Sequence, residues 1–279
     1  MKIHHRRLGV LLSLCFSTLA LAETWHADPI SGCTVFDSDD AATGVLISWS
    51  GDCDQDKHAT GPGVLSWIEG GKLVGRFEGS MRGGKANGDG TIYVAAPQGG
   101  YDRFEGSFKD NEVAGRLSAR TANGLTFEGV LSSPSYSGSG TLKTAAGDQY
   151  TGELANGQLN GPGHLMLANG EQYRGHFVAN NLEGPGEWLG SKGDYYRGEF
   201  KAGVYAGKGR YEAADGDVYE GEFAAGQPDG QGRFTGADGQ IIAGRFKAGW
   251  PDGKVDVTTP DGEKRVETWS DGKKQGGGQ

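Results

Sequence analysis

The sequence predicts an all-β fold: an elongated, twisted, single-layer antiparallel meander of about eight to nine two-stranded units. Three observations carry this. Glycine makes up 52 of 279 residues, so either the chain is disordered or glycine recurs for a geometric reason. It recurs, because from Phe104 equivalent positions fall at Phe127, Tyr150, Tyr173, Tyr196, Tyr219, Ile242 and Arg265, each 23 residues after the last. With the same phase come Asn123-Gly124, Asn169-Gly170, Asp215-Gly216, Asp238-Gly239 and Asp261-Gly262, pairs with the chemistry of hairpin turns.

Taken from the amino terminus, residues 1–22 read as an export signal. Lys2, Arg6 and Arg7 precede an apolar run from Leu8 to Leu21 that closes on Ala20-Leu21-Ala22, a cleavage-like site. The run is short for a membrane span, and Cys15 follows Leu14 where a lipoprotein signal needs a small residue. A mature chain from Glu23 that does not span the membrane is expected. Losing the three cations moves the formal charge from −9 to −12, a poor fit to nucleic acid or anionic lipid. Residues 23–60 form an amino-terminal cap. Cys33 and Cys53 alone remain after cleavage, and an exported chain meets an oxidising compartment, so one disulfide closing that loop is the simplest assignment.

Residues 61–272 form the repeat array. Within a unit apolar and glycine residues alternate with polar ones, a strand period. A two-residue loop at Asn169-Gly170 would put Leu165 and Tyr173 on opposite faces. A three-residue loop, Ala168-Asn169-Gly170 with glycine left-handed, puts them opposite each other on one face. That register pairs Gly163 with Gly175 and Gly161 with Phe177, whose ring can cover the glycine. Carried to later units, it sets Glu187 beside Arg197, Lys208 beside Glu222 and Arg210 beside Glu220. One face then carries ladders of Phe77, Phe104, Phe127, Tyr150, Tyr173, Tyr196 and Tyr219, and of Phe108, Phe177, Phe200, Phe223, Phe246 and Trp269; these are the core. Val113, Tyr136, Leu159, Leu182, Tyr205, Pro228 and Pro251 share one offset in the segment between strands and are expected to be loop residues folding over the sheet edge. Residues 273–279 read as a disordered tail.

These units resemble the MORN repeat over about residues 49 to 272. The matching residues are Tyr150-x-Gly152, Gly161-Pro162-Gly163 and Gly170, with Tyr173 and Gly175, Tyr196 and Gly198, and Tyr219 and Gly221 as later openers. Trp49 to Cys53, with Cys33 before and Gly61 to Leu65 after, resembles the amino-terminal cap of exported bacterial members. The resemblance implies a bacterial envelope protein, periplasmic or secreted, that scaffolds or binds other proteins. Some eukaryotic members bind lipid or carry a separate catalytic domain. The chain departs from the pattern at Leu117, which replaces the second glycine of its pair, and at Val255.

No catalytic constellation emerges. The Gly-x-Gly pairs lack the third glycine of a dinucleotide fingerprint and open no helix. His164 and His176 fall diagonally on the outer face, but Arg174 between them would repel a cation. Asp52, Asp54 and Asp56 alternate like calcium-loop ligands, yet Lys57 stands where glycine is needed and Gly63 where the bidentate glutamate should be. No enzyme activity, cofactor or metal is expected. The leading function is a protein-binding scaffold whose partner is unnamed. The alternative is an envelope glycan- or lipid-binding module, with Tyr101, Tyr195, Tyr205 and Trp250 as exposed rings able to stack on a ligand.

Overall fold

The computed structural model describes residues 24–37 and 44–275. Residues 1–22, expected to be an export signal, lie outside the described residues. No helix occurs among them. The chain divides after residue 158 into two units, each an antiparallel meander.

In the first unit, β1 (Thr24–Ala27) and β2 (Thr34–Asp37) form a small hairpin. Then come β3 (Val45–Trp49), β4 (Asp52–Cys53), β5 (Ala59–Glu69), β6 (Lys72–Arg82), β7 (Lys85–Ala95), β8 (Tyr101–Lys109), β9 (Glu112–Arg120), β10 (Thr126–Ser132), β11 (Ser137–Lys143) and β12 (Gln149–Ala155). Here β3 and β4 both pair β5, and from β5 each strand pairs the next. The second unit runs β13 (Gln158–Met166), β14 (Gln172–Val178), β15 (Asn181–Leu189), β16 (Tyr195–Lys201), β17 (Val204–Glu212), β18 (Val218–Ala224), β19 (Gln227–Thr235), β20 (Ile241–Lys247), β21 (Trp250–Thr258), β22 (Lys264–Ser270) and β23 (Lys273–Lys274). Each again pairs its neighbour in sequence.

The expected three-residue turn is present. Leu167 N donates to Glu171 O at 2.8 Å, Gly170 N donates to Leu167 O at 2.9 Å, and Gly170 has φ +90°. The register follows, with Leu165 opposite Tyr173, Gly163 opposite Gly175 and Gly161 opposite Phe177. In the second unit the alternate connections are two-residue turns with both residues left-handed, such as Ala179-Asn180 and Ala202-Gly203, the type whose twist matches a hairpin; in the first unit β10 and β11 are joined by four residues, 133–136, and Tyr136 lies in that connection as expected. The two-residue turns are too tight for edge-folding loops. Leu182 and Tyr205 are therefore strand residues rather than loop residues, buried on the core face of β15 and β17.

In the cap, Cys33 and Cys53 are disulfide-bonded with Cα atoms 5.5 Å apart. Asp28 lies beside them, 2% exposed, and accepts hydrogen bonds from Ile30 N, Ser31 Oγ and Trp49 N. Burial alone would raise its pKa, but these bonds outweigh burial and hold the carboxyl below its usual range. Of the segment expected to be a tail, Lys273 and Lys274 pair Ser270 and Trp269; residues 276–279 lie outside the described residues.

Candidate functional site

The repeat signature is a packing device, and its two glycines have different causes. The first of each Gly-x-Gly pair is left-handed, as at Gly184 (φ +68°) and Gly207 (φ +55°). There the pairing shifts register: Gly198 faces Gly209 while Glu199 faces Ala206, so β17 carries extra residues in a bulge, and glycine tolerates that backbone. The second glycine makes room for a ring. A methyl at Gly209 would sit 2.4 Å from Tyr196 Oη and 2.6 Å from its ring. At Gly232 it would meet Tyr219 just as closely. At Gly209 and Gly232 the ring over the trough is thus the repeat opener, whereas at Gly186 it is Phe200, the ring that faces the first glycine Gly184, together with Leu182.

The opener's hydroxyl accounts for tyrosine over phenylalanine. Tyr150 Oη donates to Glu153 O at 2.8 Å, Tyr196 Oη to Glu199 O at 2.9 Å, and Tyr219 Oη to Glu222 O at 3.1 Å. Residues 199 and 222 sit where the register shifts, so the phenol satisfies a carbonyl beside an interrupted ladder. Tyr173 Oη instead donates to Glu171 Oε2. Burial first, then the Glu222 charge, pushes the Tyr219 phenol up to about 12.

A cleft opens in the second unit where this packing changes. Tyr205 lies flat on Tyr196, ring centroids 3.7 Å apart and planes within 10°. At the equivalent positions of the next two repeats stand Pro228, opposite Phe223, and Pro251, opposite Phe246. A pyrrolidine fills less space than a phenol ring. The result is a cleft of about 420 Å³ lined by Pro228, Pro251, Phe234, Trp250 and Trp269, with Asp215 and Asp217 at its margin. Trp250, 45% exposed, lies across Gly272, where a methyl would come within 2.9 Å of the ring. Asp217 Oδ1 accepts Ala237 N at 2.9 Å and Asp215 Oδ1 accepts Asp217 N at 3.2 Å. The first bond is a turn-to-turn staple, repeated by Asp194 with Ala214. Burial, then the nearby Asp194 charge, raises the pKa of Tyr211 on the same wall.

The four candidate rings do not form one surface. Tyr205 is 2% exposed and belongs to the core, correcting its reading as an exposed ring: the two-residue turn and the bulge place it on the inner face. Tyr195 precedes the buried Tyr196 and so faces the other side of β16. Tyr101 lies in the first unit, 45% exposed, with Oη 3.4 Å from Leu73 O. Trp250 alone borders the cleft. Of the remaining signals, His164 Nε2 meets Gln172 Oε1 at 3.1 Å and His164 faces Arg174 across the ladder. The polar atoms of Asp54, Asp56 and His58 lie within 4.8 Å of one another, with Asp54 Oδ1 accepting the Asp56 and His58 amides in an acidic turn.

The outer face carries the expected charge pairs. Glu187 faces Arg197 with 3.8 Å between charged atoms, Arg210 faces Glu220 at 3.4 Å, and Lys208 faces Glu222. These side chains are well exposed, so each pair contributes well under ~1 kcal/mol. In the first unit a polar cavity of about 690 Å³ is lined by Asp89, Glu105, Arg116 and Glu128 with Ser107 and Ser118. Both serine hydroxyls donate to these carboxylates, at 2.6 Å.

The second unit ends the pattern with a charge. Arg265 and Glu267 occupy the places of the opener and its glycine. Glu267, 6% exposed, accepts bonds from Arg265 Nε (2.6 Å), Lys274 Nζ (2.7 Å) and Trp269 Nε1 (3.0 Å). The Lys274 bond is the largest cause holding its pKa below the usual carboxylate range.

A sheet of recurring hairpins, several of which close the glycine trough with their own opening ring, as Tyr196 and Tyr219 do, defines a β-meander repeat protein. Within residues 150–241 the repeat is MORN: the MORN repeat family model matches residues 150–172, 173–195, 196–218 and 219–241. No curated protein matches the chain. Among solved structures the chain is similar to selenomethionine-substituted virginiamycin B lyase from Staphylococcus aureus, at 14% identity over 80% of this chain and 74% of that one. The TM-score is 0.15.

Proposed function

We propose that this protein is an exported, non-enzymatic scaffold of the bacterial cell envelope that binds a protein partner on its MORN-repeat sheet. The observation that carries this reading is the outer face of the second unit, where charged side chains recur at strand spacing from Glu187 to Glu220. Such a face offers periodic contacts to an extended partner. The Cys33–Cys53 disulfide supports an oxidising compartment, and the apolar run after Arg7 supports export.

A photo-crosslinking residue in place of Arg197 is expected to capture a discrete envelope protein, and Glu187→Lys with Glu220→Lys to weaken that capture. The same probe replacing the buried Phe223 should capture nothing. Equal capture at both positions, or none at either, overturns the reading. Mass spectrometry of the exported protein should place its amino terminus at Glu23.

A further inference from the structure

We propose that the cleft beside Trp250, on the core face and so opposite the charged outer face, is a seat for a guanidinium group, an arginine side chain on a second segment of the protein partner; this rests on the scaffold reading and gives that partner a chemistry. One repeat earlier the equivalent space is filled by the flat ring of Tyr205 stacked on Tyr196, so the cleft is a slot that the fold itself fills with a planar group. Pro228 and Pro251 leave that slot open in the last repeats.

The lining then selects among planar groups. Trp250, Trp269 and Phe234 supply three aromatic rings to the lining, a chemistry with which guanidinium associates well. The charged residues of the lining are Asp215 and Asp217, with no Lys, Arg or His among them, so the site complements a cation. Each aspartate is fixed through Oδ1 by a backbone N–H, and neither Oδ2 has a hydrogen-bond partner among the described residues. A carboxylate held in this way can take a charge-assisted bond from a guanidinium N–H without reorganising. A neutral sugar would use the rings but not the charge, and a tetrahedral ammonium would use the charge without the slot's flatness. The formal charge of −9 draws the same class of ligand over longer range.

The test follows the indole N–H resonances of Trp250 and Trp269 in the folded, disulfide-intact protein during titration with N-acetyl-arginine amide. Parallel titrations use N-acetyl-citrulline amide, tetramethylammonium and a neutral disaccharide. A saturable shift with the arginine compound is expected, weaker by about tenfold or more with citrulline, which loses the charge. Asp215→Asn with Asp217→Asn should weaken arginine binding similarly, while the side-chain amide oxygen introduced at position 217 still accepts the Ala237 N–H. Pro228→Tyr should refill the slot and abolish binding without lowering the melting temperature. Equal binding of citrulline, tetramethylammonium or the disaccharide overturns the proposal, as does undiminished binding by Pro228→Tyr. If cross-linking through Arg197 persists while no arginine compound binds, the scaffold reading stands and the cleft assignment fails; loss of cross-linking with retained arginine binding is the reverse.

Discussion

At the residue scale, the repeat signature is a contract between one ring and two kinds of glycine. Gly209 is needed for the space under Tyr196 and Gly207 for its backbone. Gly209→Ala is therefore expected to destabilise the protein by about 1–3 kcal/mol, the range for forcing extra atoms into a filled core. Tyr196→Phe should cost about 1 kcal/mol, because the Glu199 carbonyl loses its donor. Urea denaturation of both variants checks the pair; a neutral Gly209→Ala would mean the ring does not rest there. The unit around Leu117 tests the same logic in reverse. It keeps the left-handed Gly115 but buries Leu117 where the second glycine belongs. The opener Phe104 is accordingly only half-buried.

At the element scale, the three-residue turns were legible in the sequence and the alternate turns of the second unit largely were not. Asn-Gly and Asp-Gly, together with facial parity, lead to the three-residue turn and to the register that sets Glu187 beside Arg197. The alternate turns carry Ala202-Gly203, Ala225-Gly226 and Ala248-Gly249, and alanine gives no hairpin signal because it is a poor left-handed residue. Nor does facial alternation foresee a bulge, which re-phases the strand and turns Tyr205 inward. The cleft was hidden for a further reason: proline at the tyrosine offset is visible in the sequence, but its effect depends on Tyr205 being a core residue. Replacing Ala225 (φ +47°) by Asn, which tolerates this conformation, is expected to raise stability by roughly 0.5–1 kcal/mol. A rise in melting temperature checks it, and no change would mean the alanine is unstrained.

At the scale of the whole molecule, each described unit closes part of its sheet by something other than a further repeat. In the first, the disulfide joins residues 20 apart in sequence, a loop for which the chain-entropy account gives about 3 kcal/mol. In the second, Glu267 replaces the glycine and the Arg265 side chain replaces the ring. Because its folded pKa is depressed, the carboxylate stabilises the fold above its unfolded pKa, and that contribution is lost as pH falls through the folded value. Acid should therefore loosen β22 and β23 before the central strands, which hydrogen exchange at pH 3 against pH 7 would resolve; uniform exchange would contradict it.

That buried carboxylate also bears on how the protein behaves in a crowd. A strand whose inner face is apolar can be copied onto by a neighbouring molecule, and a head-to-tail contact that does not close on itself grows into fibres. Glu267 disfavours such growth, since another chain laid along β22 in place of β23 would separate the buried carboxylate from Lys274.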